Sequence, residues 1–188
     1  MKKIILASNS PQRKELLKFL GLKFQVKPSR VQEIHETRGS CALLVQKNAL
    51  LKARDVAGRV KEGIVIGADT LVYSKGRIIG KPKNLREAKI MLKFLSRNSQ
   101  WVYTGLALFN AKTKKTLVDF EKTKIDMYPL SDKEINNYYK YVSPLDKSGG
   151  FDVQGRGSFL VRRMEGCYFN VVGLPVAKLY QMLKKMGV

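Results

Sequence analysis

A polar turn near the start of the chain carries side chains suited to binding an anion. Ser8, Ser10 and Arg13 follow the apolar run at residues 4–7, and a helical pattern begins at Pro11. The first turn of a helix offers unpaired backbone N–H groups and the positive end of the helix dipole. Two hydroxyls and a guanidinium lie within the same few positions, so the sequence predicts a phosphate-binding turn.

A carboxylate follows the next buried strand pattern. Asp69 directly follows the apolar residues 64–68, which predict a strand. In open α/β sheets, ligands gather beyond the carboxyl ends of the strands, where a carboxylate can bind Mg²⁺ or orient a water molecule. Glu33, in a polar loop, could share a divalent cation if it meets Asp69. The alternatives are a turn aspartate and a solvated glutamate.

Three lysines are candidates for binding a polyanion. Lys47 and Lys52 lie on the predicted helix 41–57, each at an edge of its apolar face. Periodicity leaves open which of them, if either, faces a ligand, since lysines at helix edges usually extend into solvent. Lys81 lies in the tripeptide Gly80-Lys81-Pro82, which suits either a phosphate ligand or a surface turn.

The segment 146–157 contains four glycines in nine residues and therefore predicts a bent loop that exposes its backbone. Gln154 can both donate and accept hydrogen bonds, which suits the edge of a nucleobase. Phe151 could stack on that base or anchor the loop. The loop does not match G-x-G-x-x-G, and no part of the chain matches the Walker A pattern, so the sequence excludes a P-loop ATPase.

Composition narrows the class of protein. The chain has 188 residues, with 36 basic and 15 acidic side chains and a net charge of +21, which favours polyanionic ligands. No apolar run approaches the roughly 20 residues that span a bilayer, and we expect a cytoplasmic protein. Cys41 and Cys167 form neither a disulfide framework nor a zinc motif. The single histidine, His35, is expected at the surface.

Strand and helix patterns alternate, with hairpins in the middle of the chain. This order predicts an α/β fold with a mixed, partly antiparallel sheet flanked by helices. Strands are predicted at 3–7, 24–27, 63–68, 71–73, 77–79, 101–110, 116–128 and 159–163, and helices at 11–20, 41–57, 84–95, 131–141 and 175–186. The polar residues Pro28–Gly39 are predicted to form a loop.

Several of these segments, in this order, resemble the Maf family of nucleoside triphosphate pyrophosphatases. The resemblance extends from Ile5 to Leu183. The matching segments are Leu6-Ala7-Ser8-Asn9-Ser10-Pro11-Gln12-Arg13, Lys52-Ala53, Gly67-Ala68-Asp69-Thr70-Leu71-Val72, Gly80-Lys81-Pro82, residues 144–155 and Asn170-Val171-Val172-Gly173-Leu174-Pro175.

The resemblance implies a single Maf-like domain over residues 1–188. It implies two lobes with a central cleft, a fold similar to that of the inosine triphosphate pyrophosphatases, and often a homodimer. The implied reaction cleaves a nucleoside triphosphate between its α and β phosphates, giving the monophosphate and pyrophosphate, with Mg²⁺ or Mn²⁺ as the divalent cation. We expect no membrane partner.

The resemblance also assigns roles to residues. It makes Asp69 the general base and Glu33 its supporting carboxylate, and these two would hold the metal. It places the family's lysines at Lys52 and Lys81, and its phosphate-binding turn at Ser8, Ser10 and Arg13.

The Asp-Lys-x-Gly…Gln-Gly form of the glycine-rich loop, which includes Lys147, is similar to that of the family branch acting on dTTP and UTP. In that branch, positions matching Gln12, Thr70 and Gln154 tune specificity. The family usually has two adjacent arginines, and Gln12 replaces the first. The neutral amide of Gln12 thus replaces a charged arginine guanidinium. This change affects substrate preference more than reaction type.

Two other functions compete with this hypothesis. The net charge would suit a nucleic-acid-binding module, but the motifs of groove and single-strand readers are absent, so nucleic acid is not the expected partner. The resemblance also raises a regulator of septum formation or cell division that acts through a partner.

Overall fold

The structure is a computed structural model that describes residues 2–35 and 40–188. Its strands are β1 (Ile4–Leu6), β2 (Phe24–Val26), β3 (Ile64–Ser74), β4 (Arg77–Ile79), β5 (Gln100–Asn110), β6 (Thr116–Met127) and β7 (Val161–Glu165). Its helices are α1 (Pro11–Lys18), α2 (Cys41–Ala57), α3 (Leu85–Leu95), α4 (Asp132–Tyr138), α5 (Tyr168–Val172) and α6 (Val176–Lys185), with short 3-10 helices at Ser148–Gly150 and Gly155–Leu160. The predicted loop Pro28–Gly39 has neither helix nor strand as far as residue 35, and residues 36–39 lie outside the described part.

The seven strands form one mixed sheet, as the sequence predicted. The strand order is β2-β1-β3-β5-β6-β7, with β4 paired to β3. β1 pairs in parallel with β2 and with β3, whereas β3 pairs antiparallel with β4, and β6 with β7.

The chain divides into two compact units. The first comprises residues 1–70, 103–121 and 169–188, and the second comprises residues 71–102 and 122–168. The predictions of a single domain and of a central cleft stay predictions.

Strand β3 organises the core of the first unit because its side chains alternate between two faces. Ile64, Ile66 and Ala68 belong to the apolar cluster that includes side chains of α1 and α6. Val65 belongs to a second cluster with small side chains of α2. By the same alternation, residues 67 and 69 face α2, and residue 70 faces away from it.

Helix α2 lies very close to β3 because small residues meet at their interface. A Cβ atom on Gly67 would lie 2.1 Å from the carbonyl oxygen of Ala49 and 2.9 Å from the amide nitrogen of Ala53. On β5, a Cβ atom on Gly105 would lie 2.2 Å from the carbonyl oxygen of Val45. These distances are too short for any side chain, so both glycines are required for this approach.

The five predicted helix starts agree with the structure to within one residue. The Ser10 hydroxyl accepts a hydrogen bond from the Arg13 N–H, and Ser131 forms a capping box with Glu134 at the start of α4. Asn84 caps α3 by accepting a hydrogen bond from the Glu87 N–H, and the Glu87 carboxylate accepts one from the Lys83 N–H.

In the second unit, α3 packs against α4 and against the Ser148–Gly150 turn. Gly149 and Gly150 have φ angles of 77° and 75°. An added Cβ atom would lie 2.7 Å from a Leu95 methyl carbon and 2.8 Å from the Tyr139 hydroxyl, respectively. Glycine is therefore required at both positions for conformation and for space.

The structure corrects the predicted bounds of several elements and adds one helix. Asp69 does not end its strand, because β3 continues to Ser74 without a turn; Leu71 and Val72 extend its apolar pattern. Helix α4 ends at Tyr138, earlier than the predicted residue 141. The last strand begins at Val161, because the residues before it form a 3-10 helix. The helix α5 was not predicted.

None of the helices in the described residues is both long enough and apolar enough to cross a membrane.

Candidate active site

The parallel pairing of β1 and β3 brings the opening turn next to the central strand. Leu6 lies opposite Ile66, and the Ala7 N–H donates to the Ile66 carbonyl over 2.8 Å. Two residues after Leu6 and Ile66, the chain reaches Ser8, just beyond β1, and Ala68, within β3. The predicted phosphate-binding turn therefore lies at the same end of the parallel strands as Asp69.

An ion-pair cluster connects three residues from three parts of the chain. The ammonium nitrogen of Lys52, on α2, lies 2.7 Å from Asp69 Oδ1 on β3 and 2.7 Å from Glu33 Oε1 in the segment after β2. The side chains of Lys52 and Asp69 are 9% and 8% exposed, whereas that of Glu33 is 45% exposed. Glu33 and Asp69 are therefore brought to the same lysine ammonium, whereas their sharing of a divalent cation stays a prediction.

The Lys52 ammonium is fully engaged within the protein. It has three N–H donors, and its third partner is the Ala68 carbonyl oxygen at 3.3 Å. Lys47, by contrast, is exposed on the same helix. Of the two α2 lysines, Lys52 is therefore the one that contacts the acidic residues, and which lysine faces a ligand stays a prediction.

The Glu33 carboxyl has a perturbed pKa. Burial acts to raise its pKa, but the hydrogen bond and charge of Lys52, together with the charges of Arg13 and His35, hold it below the ordinary value of 4.5. Glu33 is therefore ionised at neutral pH, as a cation ligand must be. His35 itself is exposed, as expected.

Asn48 is a site residue that sequence reasoning missed. Its side chain is buried, and its amide nitrogen donates to Asp69 Oδ2 over 2.9 Å. The same amide group pairs with the backbone of Ile34, accepting from its N–H and donating to its carbonyl, each over 2.9 Å. Its position four residues before Lys52 could have indicated that the two side chains lie next to each other on the same face of α2.

The Arg13 guanidinium is held by three groups. It donates to the Gly173 carbonyl oxygen over 2.9 Å, to Ser8 Oγ over 3.3 Å and to Thr70 Oγ1 over 3.0 Å. Burial lowers the pKa of Arg13 below its ordinary value, while the charges of Asp69 and Glu33 act in the opposite direction. The arginine is therefore within electrostatic range of both carboxylates and retains N–H donors for a ligand.

A chain of hydroxyls extends this network. Thr104 Oγ1 donates to the Asn170 carbonyl over 3.0 Å and lies 2.9 Å from Thr70 Oγ1. A hydroxyl has one proton, so Thr70 must be the donor to Thr104, while it accepts from Arg13. Thr70 can therefore offer a ligand only an acceptor lone pair. Thr104, which is fully buried, was also missed by sequence reasoning.

The opening turn is internally hydrogen-bonded. Ser8 Oγ accepts from the Ser10 N–H over 3.2 Å. Ser10 Oγ accepts from the Arg13 N–H over 3.3 Å and donates to Gln12 Oε1 over 3.1 Å. The Gln12 amide is thereby oriented by the turn that carries it.

The remaining predicted residues belong to the second unit. Lys81 and Gln154 are exposed, and the Gly149 N–H donates to the Gly80 carbonyl over 2.9 Å. This bond joins the Gly80-Lys81-Pro82 turn to the glycine-rich segment. Lys147 is ion-paired with Asp146 over 2.7 Å and donates to the Ser143 carbonyl over 3.1 Å.

Phe151 is buried and so anchors the glycine-rich segment. Its burial favours this alternative over stacking on a nucleobase. Lys147 holds the pKa of Asp146 below its ordinary value, first through their hydrogen bond, and the charge of Lys81 contributes.

The acidic groups suit a cation that is shared with a ligand. Among residues 2–35 and 40–188, no group of three or more His, Cys, Asp or Glu side chains could hold a metal ion. Two carboxylates that already converge on one positive charge match Mg²⁺, which typically takes one or two carboxylates, substrate phosphates and water. They do not match a site in which protein groups supply all the ligands of the metal ion.

The fold resembles that of a solved structure, the Ham1 protein of Staphylococcus aureus. The TM-score is 0.53 at 18% sequence identity, over 98% of this chain and all of the other. This likeness concerns the fold alone.

Sequence comparisons identify the family. The profile of the Maf-like protein family matches residues 3–186. A relative from Alkaliphilus oremlandii, named dTTP/UTP pyrophosphatase, is 46% identical over 98% of this chain and 96% of its own length. One with the same name from Carboxydothermus hydrogenoformans is 44% identical over 98% of this chain and 99% of its own. The chain belongs to the Maf family.

Proposed function

We propose that the protein hydrolyses nucleoside triphosphates between the α and β phosphates, releasing the monophosphate and pyrophosphate, and that dTTP and UTP are its substrates. The observation that carries this proposal is the ion-pair cluster in which the buried Asp69 and the more exposed Glu33 both contact the Lys52 ammonium. Family membership and the names of the relatives support the substrate class.

The carboxylates supply the acid–base chemistry in this proposal. Asp69 accepts hydrogen bonds from Lys52 and Asn48, so its two oxygens are held in place. It orients the attacking water and accepts its proton. The three donors of Lys52 are already taken, so its contribution is to hold the two carboxylates and to add positive charge beside the reacting phosphate.

Binding of the triphosphate rests on the opening turn. Ser8, Ser10 and Arg13 lie beside the start of α1, where backbone dipoles favour anions. Arg13 neutralises charge that develops on the phosphates, and Lys81 contributes in the same way. Catalysis of phosphoryl transfer is mostly positioning and electrostatic stabilisation, for which these groups suffice in kind.

We assign recognition of the substrate's nucleobase to four side chains: Gln12, Thr70, Lys147 and Gln154. The Gln12 amide is neutral and accepts from Ser10, so it offers the substrate N–H donors in place of a charge. Thr70 offers an acceptor only, because its proton is used by Thr104.

A divalent cation, Mg²⁺ or Mn²⁺, would be held by Asp69 and Glu33 together with phosphate oxygens of the substrate. When bound, it would neutralise charge on the phosphates as the bond breaks.

A panel of nucleoside triphosphates tests the proposal. Each is incubated with the protein and Mg²⁺ or Mn²⁺, with and without EDTA, and pyrophosphate and orthophosphate are measured separately. We expect pyrophosphate release, highest for dTTP and UTP and abolished by EDTA. Orthophosphate as the first product, or turnover unaffected by EDTA, would contradict the proposal.

No second function is proposed. The names of the reported relatives give no support to a nucleic-acid-binding module or to a regulator of cell division.

A further inference from the structure

The segment that carries Glu33 depends on α2 for its position. Residues 27–35, between β2 and the start of the undescribed residues, have neither helix nor strand. Such a segment cannot hold a carboxylate in place through its own backbone pairing. Its described hydrogen bonds to the rest of the first unit show what holds it instead.

A stripe of polar residues on α2 and just beyond its end contacts this segment. Asn48, Lys52, Asp55 and Arg59 follow one another at intervals of four, three and four residues, which places them on one side of a helix. We call these four residues the α2 stripe.

The last two residues of the α2 stripe hold the beginning of the segment. Asp55 Oδ2 accepts from the Arg30 N–H over 2.9 Å, and Arg59 donates to the Pro28 carbonyl over 2.8 Å. Arg59 and Asp55 are themselves ion-paired over 2.7 Å.

Asn48, the first residue of the α2 stripe, binds the backbone of the segment next to Glu33. Asn48 is 3% exposed, and its planar amide makes two hydrogen bonds to Ile34, the residue after Glu33. The second proton of the same amide nitrogen reaches Asp69 Oδ2. One rigid group therefore sets the distance between the Glu33 segment and the Asp69 carboxylate.

We propose that Asn48 is a positioning residue for the hydrolysis, acting through Asp69 and Glu33. The inference rests on the proposed function. The amide is suited to this task because it can pair with a peptide group and donate to a carboxylate at once. An aspartate of the same shape would lack both donors and would place a second negative charge beside Asp69.

The test compares Asn48→Ala with a matched control, Val56→Ala. Val56 is fully buried on the same helix, in the apolar cluster of α2, and has no polar contact with the site. For Asn48→Ala we expect kcat with dTTP to fall about 10–100-fold, as for other residues that orient ligating groups. KM should change less than about threefold, because Asn48 is not assigned to phosphate binding. Val56→Ala should lower the melting temperature and leave kcat within about twofold.

A second measurement follows the anchor itself. Hydrogen exchange of the Ile34 amide should be faster in Asn48→Ala than in the wild type, and unchanged in Val56→Ala. If Asn48→Ala does not fold, Asn48→Thr, which keeps about the same volume and adds no charge, is measured in the same way. A kcat within twofold of the wild type in a folded variant would overturn the inference, as would the failure of both variants to fold.

This experiment separates the inference from the proposed function. If the wild type releases no pyrophosphate, the proposed function fails, and no positioning role in that reaction survives it. If the wild type is active and the Asn48 variants are equally active, only the positioning role is wrong.

Discussion

Replacing Lys52 by methionine should strongly destabilise the protein. Methionine keeps most of the volume of the lysine stem but removes the charge. In the structure, this leaves the Asp69 carboxylate, 8% exposed, with Asn48 as its remaining described hydrogen-bond donor. Removing one partner of a buried ion pair costs about 3–5 kcal/mol, because the other charge stays buried without compensation.

The second contact of Lys52 adds little to this figure. Glu33 is 45% exposed, and an ion pair of that exposure contributes about 0–1 kcal/mol. For a chain of this size, 1 kcal/mol corresponds to about 2–4 °C in melting temperature. Lys52→Met should therefore lower the melting temperature by at least about 6 °C and reduce the free energy of unfolding in urea by about 3 kcal/mol or more.

A double variant and a control make this test specific. In Lys52→Met/Asp69→Asn the stranded carboxylate is replaced by a neutral amide, so most of the lost stability should return, with a coupling of about 2 kcal/mol. Lys47→Met, which removes an exposed lysine from the same helix, should change stability by less than about 0.5 kcal/mol. A Lys52→Met protein that melts within 2 °C of the wild type, or a double variant no more stable than the single one, would refute the reasoning.

Three further changes test other parts of the site. Arg13→Lys should raise KM for dTTP about tenfold or more in steady-state kinetics, because one ammonium cannot replace a fork that contacts three groups; an unchanged KM would argue against a role in binding. Gly67→Ala should lower both melting temperature and kcat, since a Cβ atom 2.1 Å from the Ala49 carbonyl must push α2 away from β3; wild-type activity in a folded variant would count against this. Asp55 has its pKa held below the ordinary 3.8, first by the Arg30 N–H, so its stabilising effect is present above about pH 4 and is lost as pH falls through the lowered pKa. In urea unfolding at pH 7, Asp55→Asn should have a lower free energy of unfolding than the wild type, and this difference should disappear below pH 3.8. A difference that does not change with pH would show that it does not come from the ionised Asp55 carboxylate.

The helices with clear local signals could be predicted from the sequence. The bounds of α2 agree with the predicted 41–57, because an apolar periodicity, a serine before it and a glycine after it all indicate the same element. The end of α4 could not be predicted as well, since no comparable stop signal follows Tyr138.

The position of Asp69 shows what a local pattern cannot give. An acidic residue after an apolar run is a typical strand end, but β3 continues because Asp69 is compensated by Lys52 and Asn48 from a helix distant in the sequence. Burial of a charge depends on tertiary partners, and these are invisible in the strand's own residues.

The roles of Lys52 and Asn48 could not be separated from those of their neighbours by periodicity. Both α2 lysines lie at an edge of the apolar face, and only the close approach of α2 to Gly67 determines which edge meets the acidic residues. Asn48 carries no motif of its own. Its importance follows from contacts with Ile34 and Asp69.

In the proposed reaction, water cleaves the bond between the α and β phosphates of the substrate. Phosphorus NMR of a reaction of the wild-type protein with dTTP and Mg²⁺ tests this most directly, with Asp69→Asn as the inactive comparison. We expect the monophosphate and pyrophosphate in equal amounts from the wild type, and a rate lower by about 10²–10⁴ for the variant. The appearance of the diphosphate with orthophosphate, or equal rates for both proteins, would contradict it.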